Sequence, residues 1–195
     1  MLWFYLQNTF LSSNAESLNL ASATTEQLTK LVSACDAAPF GRGAQTVMDE
    51  SYRKALKLEL AQFATPFDLA ATGILHKIQQ DLVDTDTALR RPIRAEPYKL
   101  NIYDKGAFFK AHQDTPRAEN MFGSLVLVFP TPHEGGNLIL TEEGQQWTFE
   151  ADTMHEVQPV TSGARITLTY NPYFDNVVNN VGAVTSVASA ANSPV

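Results

Sequence analysis

His112 and Asp114 stand two residues apart in the run from Tyr98 to Thr115, Tyr-Lys-Leu-Asn-Ile-Tyr-Asp-Lys-Gly-Ala-Phe-Phe-Lys-Ala-His-Gln-Asp-Thr. His155 follows on a separate segment, and Arg165 comes ten residues after it. Two histidines and one carboxylate are the ligand set of a mononuclear non-heme Fe(II) centre that leaves coordination positions open for a co-substrate and O₂. On a strand, residues i and i+2 point to the same face, so the His-x-Asp pair presents an imidazole nitrogen beside a carboxylate oxygen. An exposed polar pair at a strand end is the competing reading. His155 precedes the apolar alternation Val157, Val160 and follows Asp152 by three residues; taken alone, a single histidine is more often structural than a ligand.

Arg165 opens the otherwise apolar stretch Ile166 to Tyr170. If that strand is buried, the charge needs a partner. A guanidinium suits a carboxylate because its planar fork meets both oxygens, and Thr167 shares the arginine's face. Its partner is either one of the chain's own carboxylates or, with a metal upstream, a dicarboxylate co-substrate. Asn101 and Tyr103 alternate onto one face of the strand before the His-x-Asp segment, and Gly106 makes the turn. Both could reach a pocket, or simply face inward as ordinary strand residues.

The elements that must position these residues fall into two halves. Thr24-Thr25-Glu26-Gln27 is a capping-box pattern, and Leu28, Leu31, Val32 and Cys35 follow at helical spacing; Pro39, Gly41 and Gly43 end that helix. The Ala-, Leu-, Lys- and Glu-rich stretch 50–63 predicts a second helix, and Pro66 starts a third that runs to about residue 83. After Pro92 the apolar runs are short and β-like: Tyr98–Tyr103, Ser124–Phe129, Asn137–Leu140, Gln146–Phe149 and Arg165–Tyr170, separated by turn signals such as Glu134-Gly135-Gly136 and Ser162-Gly163. Helices followed by short strands predict an α+β fold: a jelly-roll core with the N-terminal helices packed on one side. The expected organisation is an unassigned extension over 1–20, one domain over 21–175 (helical layer 21–92, β core 93–175), and a disordered tail over 176–195.

Composition limits the function classes. The 195 residues are 44% hydrophobic and 18% charged, enough for one domain with a real core. The net charge of −7 and pI of about 5.0 argue against a general nucleic-acid footprint. Arg90, Arg91, Arg94 and Lys99 leave room for a local basic patch, although such a cluster is usually a solvated loop. The single cysteine, Cys35, allows no internal disulfide and no cysteine-based zinc site. Met1 to Leu11 is apolar but lacks a basic leader region and is too short to span a bilayer. A reducing intracellular location, cytoplasmic or nuclear, with no membrane association, is the default expectation.

The combination resembles the Fe(II)/2-oxoglutarate-dependent dioxygenases, specifically the prolyl 4-hydroxylase-like branch, and it also looks like a group of large fungal proteins carrying this domain. Tyr103–Asp114, Met121-Phe122-Gly123-Ser124-Leu125-Val126, His133-Glu134-Gly135-Gly136 and His155–Asn171 carry the likeness, in order, over roughly residues 20–171. The resemblance implies a double-stranded β-helix with Fe(II) on His112, Asp114 and His155. It implies that Arg165 holds the distal carboxylate of 2-oxoglutarate, assisted by Tyr103, with Thr167 as a further cofactor contact. The implied reaction consumes 2-oxoglutarate and O₂, with ascorbate as an admissible reductant, and hydroxylates an unidentified protein side chain or small molecule while releasing succinate and CO₂.

One departure from that pattern stands out. Trp147-Thr148-Phe149-Glu150 runs almost directly into Ala151–His155. The seven residues 148–154 are too few for a strand, a loop and a second strand, so one barrel strand is expected to be shortened or missing, and the placement of His155 is the open point of the triad. That expectation carries an alternative function, a catalytically degenerate protein that keeps the fold. A second alternative is a nucleic-acid demethylase of the AlkB type, which shares the Asn101-x-Tyr103-x-x-Gly106 spacing; the acidic charge and the arginine at plus ten weigh against it.

Overall fold

The computed structural model describes residues 1–5, 15–43, 45–83, 92–141 and 154–175. The chain starts with β1 (Leu2–Tyr5) and β2 (Ala15–Leu18), a 3₁₀ turn at Leu20–Ser22 and helix α1 (Thr25–Ala34). Six short strands follow: β3 (Asp36–Ala37), β4 (Phe40–Arg42), β5 (Gln45–Val47), β6 (Arg53–Lys54), β7 (Leu56–Glu59) and β8 (Phe63–Ala64). A 3₁₀ turn at Ala70–Thr72, helix α2 (Ile74–Ile78) and a π turn at Gln79–Val83 lead to the second half. That half holds β9 (Ile93–Tyr103), β10 (Phe108–His112), β11 (Leu125–Val128), β12 (His133–Gly135), β13 (Leu138–Thr141), β14 (Met154–Val157), β15 (Val160–Gly163) and β16 (Arg165–Phe174).

Two antiparallel sheets make the jelly-roll: β11-β16-β9-β7-β3 and β13-β14-β10-β6. Each residue of the first sheet is committed to one of two environments by the period-2 alternation of a strand. Leu58, Leu100, Ile102, Ile166 and Leu168 point outward and are at most 2% exposed. They form one core with Leu31 and Ala34 of α1, with Leu2, Phe4 and Leu18 of β1 and β2, and with Leu75 of α2 packed at its edge. The opposite faces of β9 and β16 carry Asn101, Tyr103, Arg165 and Thr167, and these line a cavity together with Phe109, His112, His155 and Val157 of the second sheet. Phe40, Ala55, Tyr103, Phe109, Val157 and Val160 form a smaller apolar cluster at one end of it.

Helix α1 begins as its sequence predicts. The Thr24 hydroxyl accepts from the Gln27 amide at 3.2 Å, and the Gln27 side chain accepts from the Thr24 amide at 3.0 Å. Cys35 closes the helix, its thiol donating to the Leu31 carbonyl at 3.1 Å, and burial pushes that thiol up to about 12. The third predicted helix is present in part, as the helical turns between Ala70 and Val83.

The predicted helix over 50–63 is not there. The stretch forms β6, β7 and a 3₁₀ turn at Leu60–Gln62. Helix propensity lost to tertiary pairing: β7 adds to the edge of β9 with Leu56 opposite Ile102 and Leu58 opposite Leu100, and Leu58 is fully buried there. Helix propensity is worth only a few tenths of a kcal/mol per residue, whereas burial of Leu58 alone is worth about 2 kcal/mol and the hydrogen-bonded pairing with β9 adds to it. The extension left unassigned is likewise structured at its ends, where β1 pairs with β2 and β8 and supplies Leu2 and Phe4 to the core. The expected strand Gln146–Phe149 and the tail 176–195 lie outside the described residues.

Leu100 is the most central of these side chains in register, lying between Leu58 and Leu168 on neighbouring strands. Leu100→Ala is expected to cost about 2–5 kcal/mol, read as a lower denaturant midpoint with an unchanged m-value.

Candidate metal centre

β10 and β14 are neighbours in the second sheet, and their register sets His112 directly opposite His155. β14 is paired on its other side as well, with Leu140 of β13 opposite His155. The second histidine is therefore fixed by ladders on both edges of a central strand. In the described structure His155 lies opposite the His-x-Asp segment, whereas the shortened link falls among residues 142–153, which lie outside the described residues. Asp114 sits two residues beyond the end of β10, so the His-x-Asp pair straddles a strand end and does not lie wholly within the strand.

The three side chains converge. One donor atom from each of His112, Asp114 and His155 lies within 4.8 Å of the others. His155 Nε2 is 3.9 Å from Asp114 Oδ2, and the two imidazole centroids are 4.1 Å apart. Nitrogen and oxygen ligands of comparable divalent ions sit about 2.0–2.2 Å from the metal, so two donors on one ion lie at most about 4.4 Å apart. Ligands at right angles on one ion lie closer still, about 3 Å apart, so the three donors converge on one point and must draw together by about an ångström to hold a divalent cation. His112 is also prepared as a ligand. Its Nδ1 lies 2.8 Å from the Lys110 carbonyl, and as the donor there it leaves Nε2 free with its lone pair. Burial, with the nearby His155 and Arg53 adding to it, lowers the His112 pKa to about 4, which keeps the ring neutral at physiological pH.

Arg165 and Thr167 enter the same cavity from β16, 6% and 2% exposed. The ladder sets Arg165 opposite Tyr103 and Thr167 opposite Asn101, and the guanidinium carbon is 5.8 Å from the Tyr103 ring centroid. Burial draws the Arg165 pKa below its ordinary value, yet an arginine keeps its charge in a protein. The Glu-Gly-Gly turn makes room for it. Gly136 has φ +66°, and a Cβ there would come within 3.0 Å of Arg165 Cδ and 2.9 Å of Val160 Cγ2. Only glycine lets this backbone pass so close to the arginine stem.

Sequence reading missed Arg53. It is 6% exposed and lines the cavity, donating to the Pro39 carbonyl at 2.8 Å and to Asn101 Oδ1 at 2.9 Å. Asn101 in turn donates to Thr169 Oγ1 at 3.0 Å, so its amide braces the cavity wall. The Arg53 guanidinium stands 4.5 Å from the centroid of Phe109, whose ring stacks on His112 at 3.4 Å. Arg53 was hidden because its stretch carries helix-forming residues, and its position depends on β6 pairing with β10, Arg53 opposite Phe109.

The 2OG-Fe(II) oxygenase superfamily matches residues 98–173 of this chain. His112, Asp114, His155 and Arg165 all fall within that segment, and Arg53 lies outside it. The matched superfamily is one of Fe(II)- and 2-oxoglutarate-dependent oxygenases. Among solved structures, a prolyl-4-hydroxylase from Pseudomonas putida is similar, with 18% identity over 77% of this chain and 83% of that one and a TM-score of 0.44. An oxidoreductase of the 2OG-Fe(II) oxygenase family from Burkholderia pseudomallei is similar with 14% identity over 78% and 81% and a TM-score of 0.40. Among the described residues, no helix is long and apolar enough to cross a membrane.

Replacing Arg53 with methionine leaves the Pro39 carbonyl and Asn101 Oδ1 without their donor. Arg53→Met is expected to cost about 2–4 kcal/mol in unfolding free energy, with Mn(II) affinity falling as Phe109 and His112 lose their support; equilibrium denaturation and metal titration check the two effects separately.

Proposed function

We propose that this chain is an Fe(II)- and 2-oxoglutarate-dependent hydroxylase in which His112, Asp114 and His155 hold the iron and Arg165 holds the distal carboxylate of 2-oxoglutarate. The observation that carries the reading is the convergence of three donor atoms within 4.8 Å in a cavity that also contains a buried arginine. The prolyl 4-hydroxylase-like order of the motifs supports it.

In this reading the chain's residues bind, orient and exclude water. His112 and His155 are neutral donors and Asp114 supplies one negative charge, so the ligand set leaves the ion with net positive charge for an incoming oxyanion. Arg165 offers two parallel donors to the far carboxylate, a pairing strengthened by low exposure. Thr167 and Tyr103 flank it with hydroxyl groups on the same wall. A co-substrate held at both ends has one orientation, which is the entropic part of the catalysis. Val157 and Phe109 close one end of the cavity with apolar surface. The iron, when bound, supplies the oxidising chemistry. Atoms balance overall: one oxygen of O₂ enters succinate as 2-oxoglutarate loses CO₂, and the other becomes the hydroxyl on the prime substrate.

His112→Ala and Asp114→Ala are each expected to abolish Mn(II) and Fe(II) binding. Arg165→Ala should retain the metal and weaken 2-oxoglutarate by roughly thirtyfold or more, the cost of about 2 kcal/mol for removing one partner of a buried charge pair. Calorimetric titration of each ligand checks both. Metal affinity that survives loss of either proximal ligand overturns the ligand assignment. A fully metal-loaded protein that releases no succinate from 2-oxoglutarate overturns the hydroxylase and favours a binding module that keeps the fold.

A further inference from the structure

The β9–β16 ladder is interrupted once. Thr169 pairs with Lys99 and the next residue, Tyr170, pairs with Pro97, so Tyr98 is an extra, unpaired residue in β9. A bulge of this kind turns a side chain away from strict alternation. Here two successive residues, Tyr98 and Lys99, both line the cavity. Lys99 Nζ lies 4.6 Å from the centroid of the Tyr98 ring, and the Arg117 guanidinium carbon lies 4.0 Å from the same centroid. Arg117 also donates to the Tyr98 hydroxyl. One aromatic ring thus gathers two cations at one side of the cavity.

We propose that Lys99 and Arg117, gathered by the bulged Tyr98, form an anion subsite that takes a carboxylate or phosphate group of the prime substrate. This rests on the reading in which Arg165 takes 2-oxoglutarate. The charge balance of the cavity leads there. Four cationic side chains line it, Arg53, Lys99, Arg117 and Arg165, against one carboxylate among its lining residues, Asp114. Asp114 belongs to the metal and Arg165 to the co-substrate. Arg53 is tied to Pro39 and Asn101. Lys99 and Arg117 remain, and among the described residues neither has a carboxylate within ion-pair distance. Glu59 lies opposite Lys99 in the ladder but is paired with Lys57. Such a concentration of positive charge is not a by-product of composition, because the chain as a whole carries −7.

The cost of this arrangement shows on Lys99. Burial, with Arg53 and Arg117 nearby, lowers its pKa to about 8. A group whose ammonium form is disfavoured by desolvation and by like charges gains most from an arriving anion. Ser124, Thr169 and Asn171 line the same cavity and add neutral polar groups to its wall.

The test uses the full chain loaded with Zn(II) and one equivalent of 2-oxoglutarate, with lysines labelled by reductive ¹³C-methylation and the Lys99 signal identified by its loss in Lys99→Arg. Acetate and sulfate, as carboxylate and phosphate probes, are titrated separately at constant ionic strength. The expected result is a saturable shift of the Lys99 signal with at least one probe and a rise of its pKa above about 8. In Arg117→Gln the affinity for that probe falls by about fivefold or more while that for 2-oxoglutarate is unchanged. The stronger probe tells which group the substrate carries. Absence of a saturable shift with either probe overturns the subsite, as does a shift that persists in Arg117→Gln or a probe that displaces 2-oxoglutarate. Failure of 2-oxoglutarate to bind at all overturns the Arg165 reading instead, and the Lys99 titration still reports on the subsite.

Discussion

The ten-residue antiparallel ladder between β9 and β16 is the constraint on which the rest depends. Its alternation sends Leu100, Ile102, Ile166 and Leu168 to one side and Asn101, Tyr103, Arg165 and Thr167 to the other. A one-residue slip would exchange the two sets. It would expose the apolar residues that hold α1, β1 and β2 in place, and it would bury a guanidinium in that core. The apolar face therefore fixes the register, and the register delivers the polar face to the cavity. The energy that determines the site is thus hydrophobic burial on the far side of the same strands.

A second tension runs through the cavity. Buried cations are costly unless their donors are satisfied, and this acidic protein keeps Arg53 and Arg165 at 6% exposure with Lys99 half-buried nearby. Arg53 meets part of its cost with neutral acceptors, the Pro39 carbonyl and the Asn101 side chain, although among the described residues its Nε has no hydrogen-bond partner. None of the three sits beside a carboxylate within ion-pair distance among the described residues. A cavity that concentrates positive charge without matching carboxylates is organised for anionic ligands, and the dicarboxylate co-substrate proposed above meets that description.

The parts legible in sequence were those whose signal is local. The Thr24 capping box, the helical apolar stripe through Leu31 and the strand of alternating residues ending at Tyr103 each follow from short-range periodicity. The His-x-Asp pair was legible because both residues share one short segment. The stretch 50–63 was misread because its composition favours helix, while its actual partner, β9, lies some forty residues away. The strands β1 and β2 show no clear period in sequence, since each is anchored by partners outside its own segment. Arg53 failed to register for the same reason: nothing near it in sequence signals the cavity.

The sequence by itself determined the chemistry on offer: two imidazoles, a carboxylate and an arginine, in an order that matches one enzyme class, and an apolar alternation that demands a two-faced sheet. Tertiary structure decided whether these meet. It set His155 opposite His112 by pairing β14 on both edges, despite a link that looked too short. It also turned Tyr98 and Lys99 to one side through a bulge that no local pattern announces. The physical reason is common to both. Side-chain identity and period are properties of the chain, but register between strands far apart in sequence is chosen by the burial and hydrogen bonding of the whole sheet.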